Sequence, residues 1–231
     1  MAVNIDTVYQ KVLALANKEQ RGYITPQEFN LFANLAQVEV LEQYFYDVNQ
    51  WGRNTGNSTE YSDMLSLLQE KLSELEVRST NQTVVSGIFD HRSIADLYKL
   101  GTIVSTDNGS EIEQVNNNEW YYMQSAPLTR PTLTRPVYVN RIDGLNIYPN
   151  TISNIDISYT RFPAPPTWGY TVVNNKALFN TNTSTHFELH SSEESELIYR
   201  ILMLAGISMQ RFDVSEAANK LEVQKQQQEK K

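Results

Sequence analysis

The run from Ile147 to Ile207 decides how this chain is read: IYPNTISNIDISYTRFPAPPTWGY (Ile147–Tyr170), a polar Asn/Thr stretch, then FELHSSEESELIYRILMLAGI (Phe187–Ile207). Leu145 and Ile147, then Ile155, Ile157 and Tyr159, alternate with polar residues as two short strands do, and Pro149-Asn150 reads as the turn of a hairpin joining them. Phe162 to Trp168 follows, with prolines at 163, 165 and 166 that hold the backbone extended and an aromatic ring at each end. Such a strap serves either as a rigid exit from the sheet, packed on its own domain, or as a contact with a neighbouring subunit. Phe187–Leu189 reads as a last short strand. Ser191 then has N-cap chemistry with Glu194 three residues on. Glu193, Glu194 and Glu196 suit a helix N-terminus, and Leu197, Ile198, Ile201, Leu202, Ala205 and Met209 make one apolar face.

On the N-terminal side the pattern is helical. Ile5, Val8, Val12 and Leu15 recur at helical spacing, and Gly22 is the expected stop. Thr25-Pro26-Gln27-Glu28 is a capping box with proline at the first helical position, and Ile24 and Phe29 flank it as a hydrophobic staple. The helix that follows carries two apolar stripes: Phe29, Phe32, Ala36, Val40, Tyr44 and Val48, and Leu31, Leu35, Val38, Leu41 and Phe45. Asn30, Asn34 and Gln37 form a narrow polar strip. A helix so widely apolar is either central to a core or also faces a second subunit. Trp51–Asn57 reads as a turn-rich break, and Ser58 caps a third helix with Tyr61, Met64, Leu65, Leu68, Leu72 and Leu75 on one face.

From about Thr83 the period shortens. Val84-Val85, Ile88-Phe89, Ile103-Val104, Trp120–Met123 and Pro136–Val139 read as strands, with Asn108-Gly109 and Asp143-Gly144 as tight turns. Ile94–Leu100 reads as a short helix. The connections are too short for crossovers, so this block is expected to be a small, mostly antiparallel β domain. Asp213, with Glu216 three on, starts a final helix, and the polar tail beyond Lys220 is expected to be dispensable for the fold. The expected organisation is α+β: helices in 1–82, a β domain with the Pro/aromatic strap in 83–190, and helices in 191–231.

With 231 residues, 40% hydrophobic and 20% charged, the chain has the composition of a folded protein with one sizeable core or two small ones. Thirteen tyrosines stand out; they fit strands, and they fit surfaces where subunits meet. The absence of cysteine removes disulfides and thiolate metal sites and suits a reducing compartment. The N-terminal stretch reads as no secretory signal, and no apolar run approaches the ~20 residues of a membrane span. A formal charge of −8 without a Lys/Arg cluster argues against grasping nucleic acid by its phosphates.

Candidate chemistry is sparse. Phosphate-binding glycine loops, zinc-protease and serine-hydrolase motifs are absent from the sequence. His186, Glu188 and His190 would share one side of a strand, either as metal ligands or as a solvated face. His91, between Asp90 and Arg92, reads as a turn residue. The expectation is a non-enzymatic protein with no cofactor and no metal. The residues expected to meet a neighbouring subunit or partner are Phe29, Phe32 and Leu35, then Phe162, Pro163, Pro166, Trp168 and Tyr170, and in the tail Lys220, Gln224 and Lys225.

Ile147-Tyr148-Pro149, Tyr159, Arg161, Pro163, Pro166 and Trp168-Gly169-Tyr170, with Phe187-Glu188-Leu189, Leu204–Ile207 and the opening run Val8–Ala33, resemble virion structural proteins of tailed bacteriophages, among them crAss-like and related phages of Bacteroidetes. The layout is also similar to head–tail connector adaptors, the ring proteins docked under a portal. That resemblance implies a helical bundle built from the N- and C-terminal segments with a small antiparallel β domain inserted. It further implies a homo-oligomeric ring of about twelve subunits. Its partners would be the portal and other ring or tail proteins, its channel would pass genomic DNA without specific contact, and its place would be the virion, after assembly in the host cytoplasm. Two other readings stand beside it: a receptor- or carbohydrate-binding virion module using the Tyr/Trp-rich β domain, and an enzyme with a histidine–carboxylate metal site.

Overall fold

The computed structural model describes residues 2–16, 24–53, 59–174, 176–208 and 219–223. In chain order the elements are β1 (Ala2–Val3), α1 (Ile5–Ala16), α2 (Pro26–Arg53), α3 (Thr59–Ser73), β2 (Glu76–Thr83), β3 (Ile88–Phe89), β4 (Leu97–Ser105), β5 (Glu113–Gln114) and α4 (Asn117–Ser125). There follow β6 (Val137–Arg141), β7 (Gly144–Tyr148), β8 (Asn154–Arg161), β9 (Tyr170–Val173), β10 (Lys176–Phe179), β11 (Phe187–His190) and α5 (Glu194–Ser208), and 219–223 are helical again. The chain is mixed α/β with antiparallel strand pairs, apart from the short parallel pair β5–β6. It divides into two compact units, one from the described residues of Met1–Glu74 and Pro163–Lys231, the other Leu75–Phe162. The strap and β11, expected in the β domain, therefore belong with the helices.

In the helical unit α5 packs on α1 and α2, and α3 packs on α2. The start of α2 is the expected capping box: the Glu28 backbone N–H donates to Thr25 Oγ1 (3.3 Å) and the Thr25 N–H donates to Glu28 Oε2 (3.0 Å). Ile24 and Phe29, the staple pair, are both buried. Along α2 Phe29, Ala33, Ala36, Gln37, Val40, Leu41 and Tyr44 are buried as a single stripe, with Pro26 buried at its start. The second expected stripe breaks up, since Leu31 and Leu35 lie on the opposite, exposed side. Neighbouring helices cover α2 from one side, so apolar residues out of that phase stay outside. Leu15 of α1 is exposed for the same reason, while Ile5, Val8, Tyr9 and Val12 are buried. Trp51–Arg53 continue α2 instead of breaking it. Gly22, residues 54–58, Met209, Asp213, Gln224 and Lys225 lie outside the described residues. Leu68 and Leu72 of α3 are buried as expected. β11 pairs with β1, with Val3 opposite Phe187, so the first described strand is held by the strand that precedes α5.

The β unit has two sheets, ordered β2-β8-β4 and β3-β7-β6-β5. They share a core of Val84, Phe89, Ile103, Ile112, Tyr138, Leu145, Ile147, Ile152, Ile155, Ile157 and Tyr159. β7 and β8, expected as one hairpin, lie in different sheets: β8 is the centre of the first, flanked by β2 and β4. Alternation shows only which face is buried and leaves the partner strand open. β2 was not expected, because EVRSTNQT has a single apolar residue; it is an edge strand that β8 holds through the backbone ladder. Ile94–Leu100, expected as a helix, enters β4. Trp120–Met123, expected as a strand, lies in α4, where the Asn116 N–H donates to Glu119 Oε2 (3.1 Å) in the arrangement of a capping box. Two tight turns depend on backbone that L-residues rarely adopt. Ser86 (φ 54°) and Gly87 (φ 79°) form the two-residue turn between Val85 and Ile88. Gly144 (φ 130°) sits where a Cβ would meet Phe89 O at 2.5 Å. The unit opens and closes at one place: the Arg161 N–H donates to Leu75 O at 3.0 Å.

Candidate functional site

The strap from Phe162 to Gly169 and the hairpin that follows it are the most unusual construction in the helical unit. Proline cannot donate a backbone hydrogen bond; the strap pairs through its backbone at Thr167, which exchanges both hydrogen bonds with Thr185, and other polar groups along it take side-chain partners. Two amides on α2 supply them. Gln37 Nε2 donates to Ala164 O at 2.9 Å, and its Oε1 accepts the Glu188 N–H of β11 at 3.0 Å. Asn30 Oδ1 accepts the Trp168 N–H at 2.8 Å, while its Nδ2 donates to Trp168 O at 3.4 Å. Glu188 completes the clamp, since its Oε2 accepts the Ala164 N–H at 2.7 Å. Asn30 and Gln37 are seven residues apart, two helical turns, and so lie on one face of α2. The sequence placed both in a polar strip. Gln37 is in phase with the buried Ala33, Val40 and Tyr44, but that phase carries no signal of the strap it meets.

Trp168 ends the strap in an aromatic cluster. Its ring lies 4.3 Å from Tyr9, 5.8 Å from Tyr170 and 5.8 Å from Phe179 between centroids, and Tyr9 meets Phe29 edge-on at 4.7 Å. Its indole Nε1–H donates to Asp6 Oδ1 at 2.9 Å, which satisfies the one polar atom that burial would strand. Beside the cluster is an open cleft of about 540 Å³ lined by Asp6, Tyr9, Gln10, Leu13, Trp168 and residues 176–179. Both Asp6 carboxylate oxygens are in use, Oδ1 by Trp168 and Oδ2 by Gln10. From this root β9 and β10 project as a sheet with no third strand among the described residues, Tyr170 paired with Phe179 and Val173 with Lys176.

The residues expected at interfaces separate accordingly. Phe29, Pro163, Pro166 and Trp168 are buried inside their own unit and belong to its interior. Phe32 and Tyr170 are half-buried, and Leu35, Phe162 and Lys220 are exposed. The strap thus packs against α2 of its own chain.

The acidic run opening α5 does more than cap. A short 3-10 turn, Ser191–Glu193, precedes the helix, and His190 Nδ1 accepts the Ser192 N–H at 3.3 Å in the position expected of Ser191. Glu193 is buried and pairs with Lys71 of α3 at 2.7 Å, and Glu194 pairs with Lys11 of α1. Glu196 pairs with Arg200 at 2.8 Å, and Arg200 also meets Glu222 at 3.1 Å and Glu39 at 3.6 Å. Burial works against the Arg200 charge, but the carboxylates of Glu196, Glu222 and Glu39 outweigh it and raise the guanidinium pKa.

The histidine–glutamate trio is dispersed over separate tasks. His186 Nδ1 accepts the Ile5 N–H at 3.3 Å, Glu188 belongs to the strap clamp, and His190 serves the turn before α5. Among the described residues no group of three His, Asp or Glu side chains could hold a metal ion. In the β unit the most connected carboxylate is Asp156. The Asn81 N–H (2.9 Å) and then Arg78 Nη2 (3.0 Å), with Thr106 Oγ1 at 3.4 Å, hold it below the usual carboxylate range. These contacts fix the bulge of β2 at Asn81 (φ 61°). No described helix is long and apolar enough to cross a membrane. No protein-family model matches the chain, and no curated protein matches it.

Proposed function

We propose that the chain is a structural ring (adaptor) protein of a phage head–tail connector, extending the portal channel and offering tail proteins a docking platform. In this reading the helices of both chain ends form a bundle, and the β unit is a domain inserted between them. One observation carries it: a single compact unit is assembled from described residues up to Glu74 and from Pro163 on, while Leu75–Phe162 make their own core and leave beside the point of entry. That is the helix–β–helix order of the connector adaptors that the sequence resembles. A net charge of −8 per copy, repeated around a channel, repels phosphate and lets DNA slide. The portal, other ring or tail proteins and further copies of the chain are the partners, and the virion is the location.

Native mass spectrometry and negative-stain imaging of the full chain test this. The expected outcome is a closed ring of about a dozen copies. The second reading, a receptor- or carbohydrate-binding module, draws on the exposed Tyr121 and Tyr122 of α4. A small discrete oligomer that retains a glycan on an array would overturn the ring in its favour.

A further inference from the structure

The β9–β10 hairpin presents an outer face that its own chain leaves open. In an antiparallel pair, residues directly opposite share a face, so Thr171 with Leu178 and Val173 with Lys176 lie on one side. The other side carries Tyr170 and Phe179, which meet Trp168, and towards the tip Val172, itself 66% exposed. On the open side Leu178 is 51% and Val173 49% exposed. This face carries Leu178 and Val173 beside Thr171, has Lys176 at the tip and no acidic residue. A second open face lies on α2, opposite its buried stripe: Leu31 is 72% and Leu35 47% exposed, Val38 is half-buried, and Glu42 is exposed one turn further along. Between Pro26 and Gly52 the helix has Glu28, Glu39, Glu42 and Asp47 and neither Lys nor Arg.

We infer that the outer face of the β9–β10 hairpin docks on the Leu31–Glu42 face of α2 in a second copy of this chain. The two faces match in chemistry and order. Leu178 and Val173 lie against Leu31, Leu35 and Val38, and Lys176 at the hairpin tip meets Glu42. The partner is a second copy because the chain carries both complementary faces on different elements. Each copy offers one of each, which makes the contact heterologous, the kind that propagates into rings. The inference deepens the ring reading and rests on it.

The test uses the full chain and two exposed-surface double variants, Val173→Asp/Leu178→Asp and Leu31→Glu/Leu35→Glu, each checked for an unchanged melting temperature. Sedimentation velocity should show each alone weakened in self-association by at least ~10-fold, about 1.4 kcal/mol. Mixed in equal amounts they should form dimers and nothing larger, because the hairpin variant keeps an intact α2 face and the helix variant an intact hairpin. Lys176→Glu should weaken assembly, and adding Glu42→Lys in the same chain should restore it. If the wild type forms rings and both double variants do so equally, this contact is overturned and the ring reading stands. If each variant loses assembly but the mixture gives no dimer, the contact is not heterologous and the inference falls. If the wild type stays monomeric at every concentration, the inference and the ring reading fall together.

Discussion

At the residue scale, the side chains that hold this protein together are polar groups used inside an apolar frame. Gln37 is fully buried and satisfies one carbonyl and one N–H at once. Gln37→Ala should therefore cost about 2 kcal/mol, the price of leaving Ala164 O and the Glu188 N–H unpaired. Thermal melts, with limited proteolysis at the strap, measure it. Arg200 bridges three carboxylates with one positive charge. Arg200→Met leaves Glu196, Glu222 and Glu39 facing one another and should destabilise by about 3 kcal/mol in denaturant titrations. Asp156 gives a pH signature. Its folded pKa lies below its unfolded value, chiefly through the Asn81 N–H and Arg78, so the unfolded chain takes up the proton first as pH falls. Its stabilising contribution is complete above about pH 4 and is lost as pH drops through the lowered folded value. Asp156→Asn should be less stable than wild type at pH 7 and lose less on acidification, which melts from pH 7 to pH 3 would show. Equal slopes for the two proteins would remove Asp156 from the acid response.

At the scale of elements, starts were more legible than partners. The capping box of α2 is a local arrangement of four consecutive residues, and it forms as the sequence indicates. Asn116 and Glu119 carry the same spacing before Trp120, yet the aromatic run outweighed it and α4 read as a strand. β2 has almost no pattern, because an edge strand is held by its backbone and its side chains need not be apolar. The helical segment 219–223 shows the limit of composition from the other side. From Lys220 on the sequence reads as a fraying tail, but Glu222 lies against Arg200. Truncation after Asn219 should consequently lower stability by about 1–2 kcal/mol, by removal of one partner from a partly buried charge cluster. A truncated chain that melts with the wild type would make the segment a bystander.

For the whole molecule, the division into two units has a direct experimental consequence. Leu75–Phe162 has its own core, and its ends lie side by side at the Leu75–Arg161 hydrogen bond. A segment with those properties is expected to fold alone. Residues 75–162 expressed by themselves should unfold cooperatively and give a dispersed amide spectrum. A fragment without a cooperative transition would show that its core depends on the helices.

The sequence by itself determined what depends on neighbours within a few residues: the α2 cap, the helical phase of α1 and α5, the alternation of β7 and β8, and a composition without cysteine or a basic patch. It also showed that Phe162–Trp168 is extended and rigid, because proline restricts its own backbone whatever surrounds it. Only the tertiary structure decided which partner each element has. Alternation does not say that β8 pairs with β2 and β4, and helical phase does not say which side of α2 is covered. Nor does an amide on a helix reveal whether it faces water or a strap 127 residues away, as Gln37 faces Ala164. Pairing is settled by burying the most apolar surface with no polar group left unmet, and that balance belongs to the folded chain as a whole.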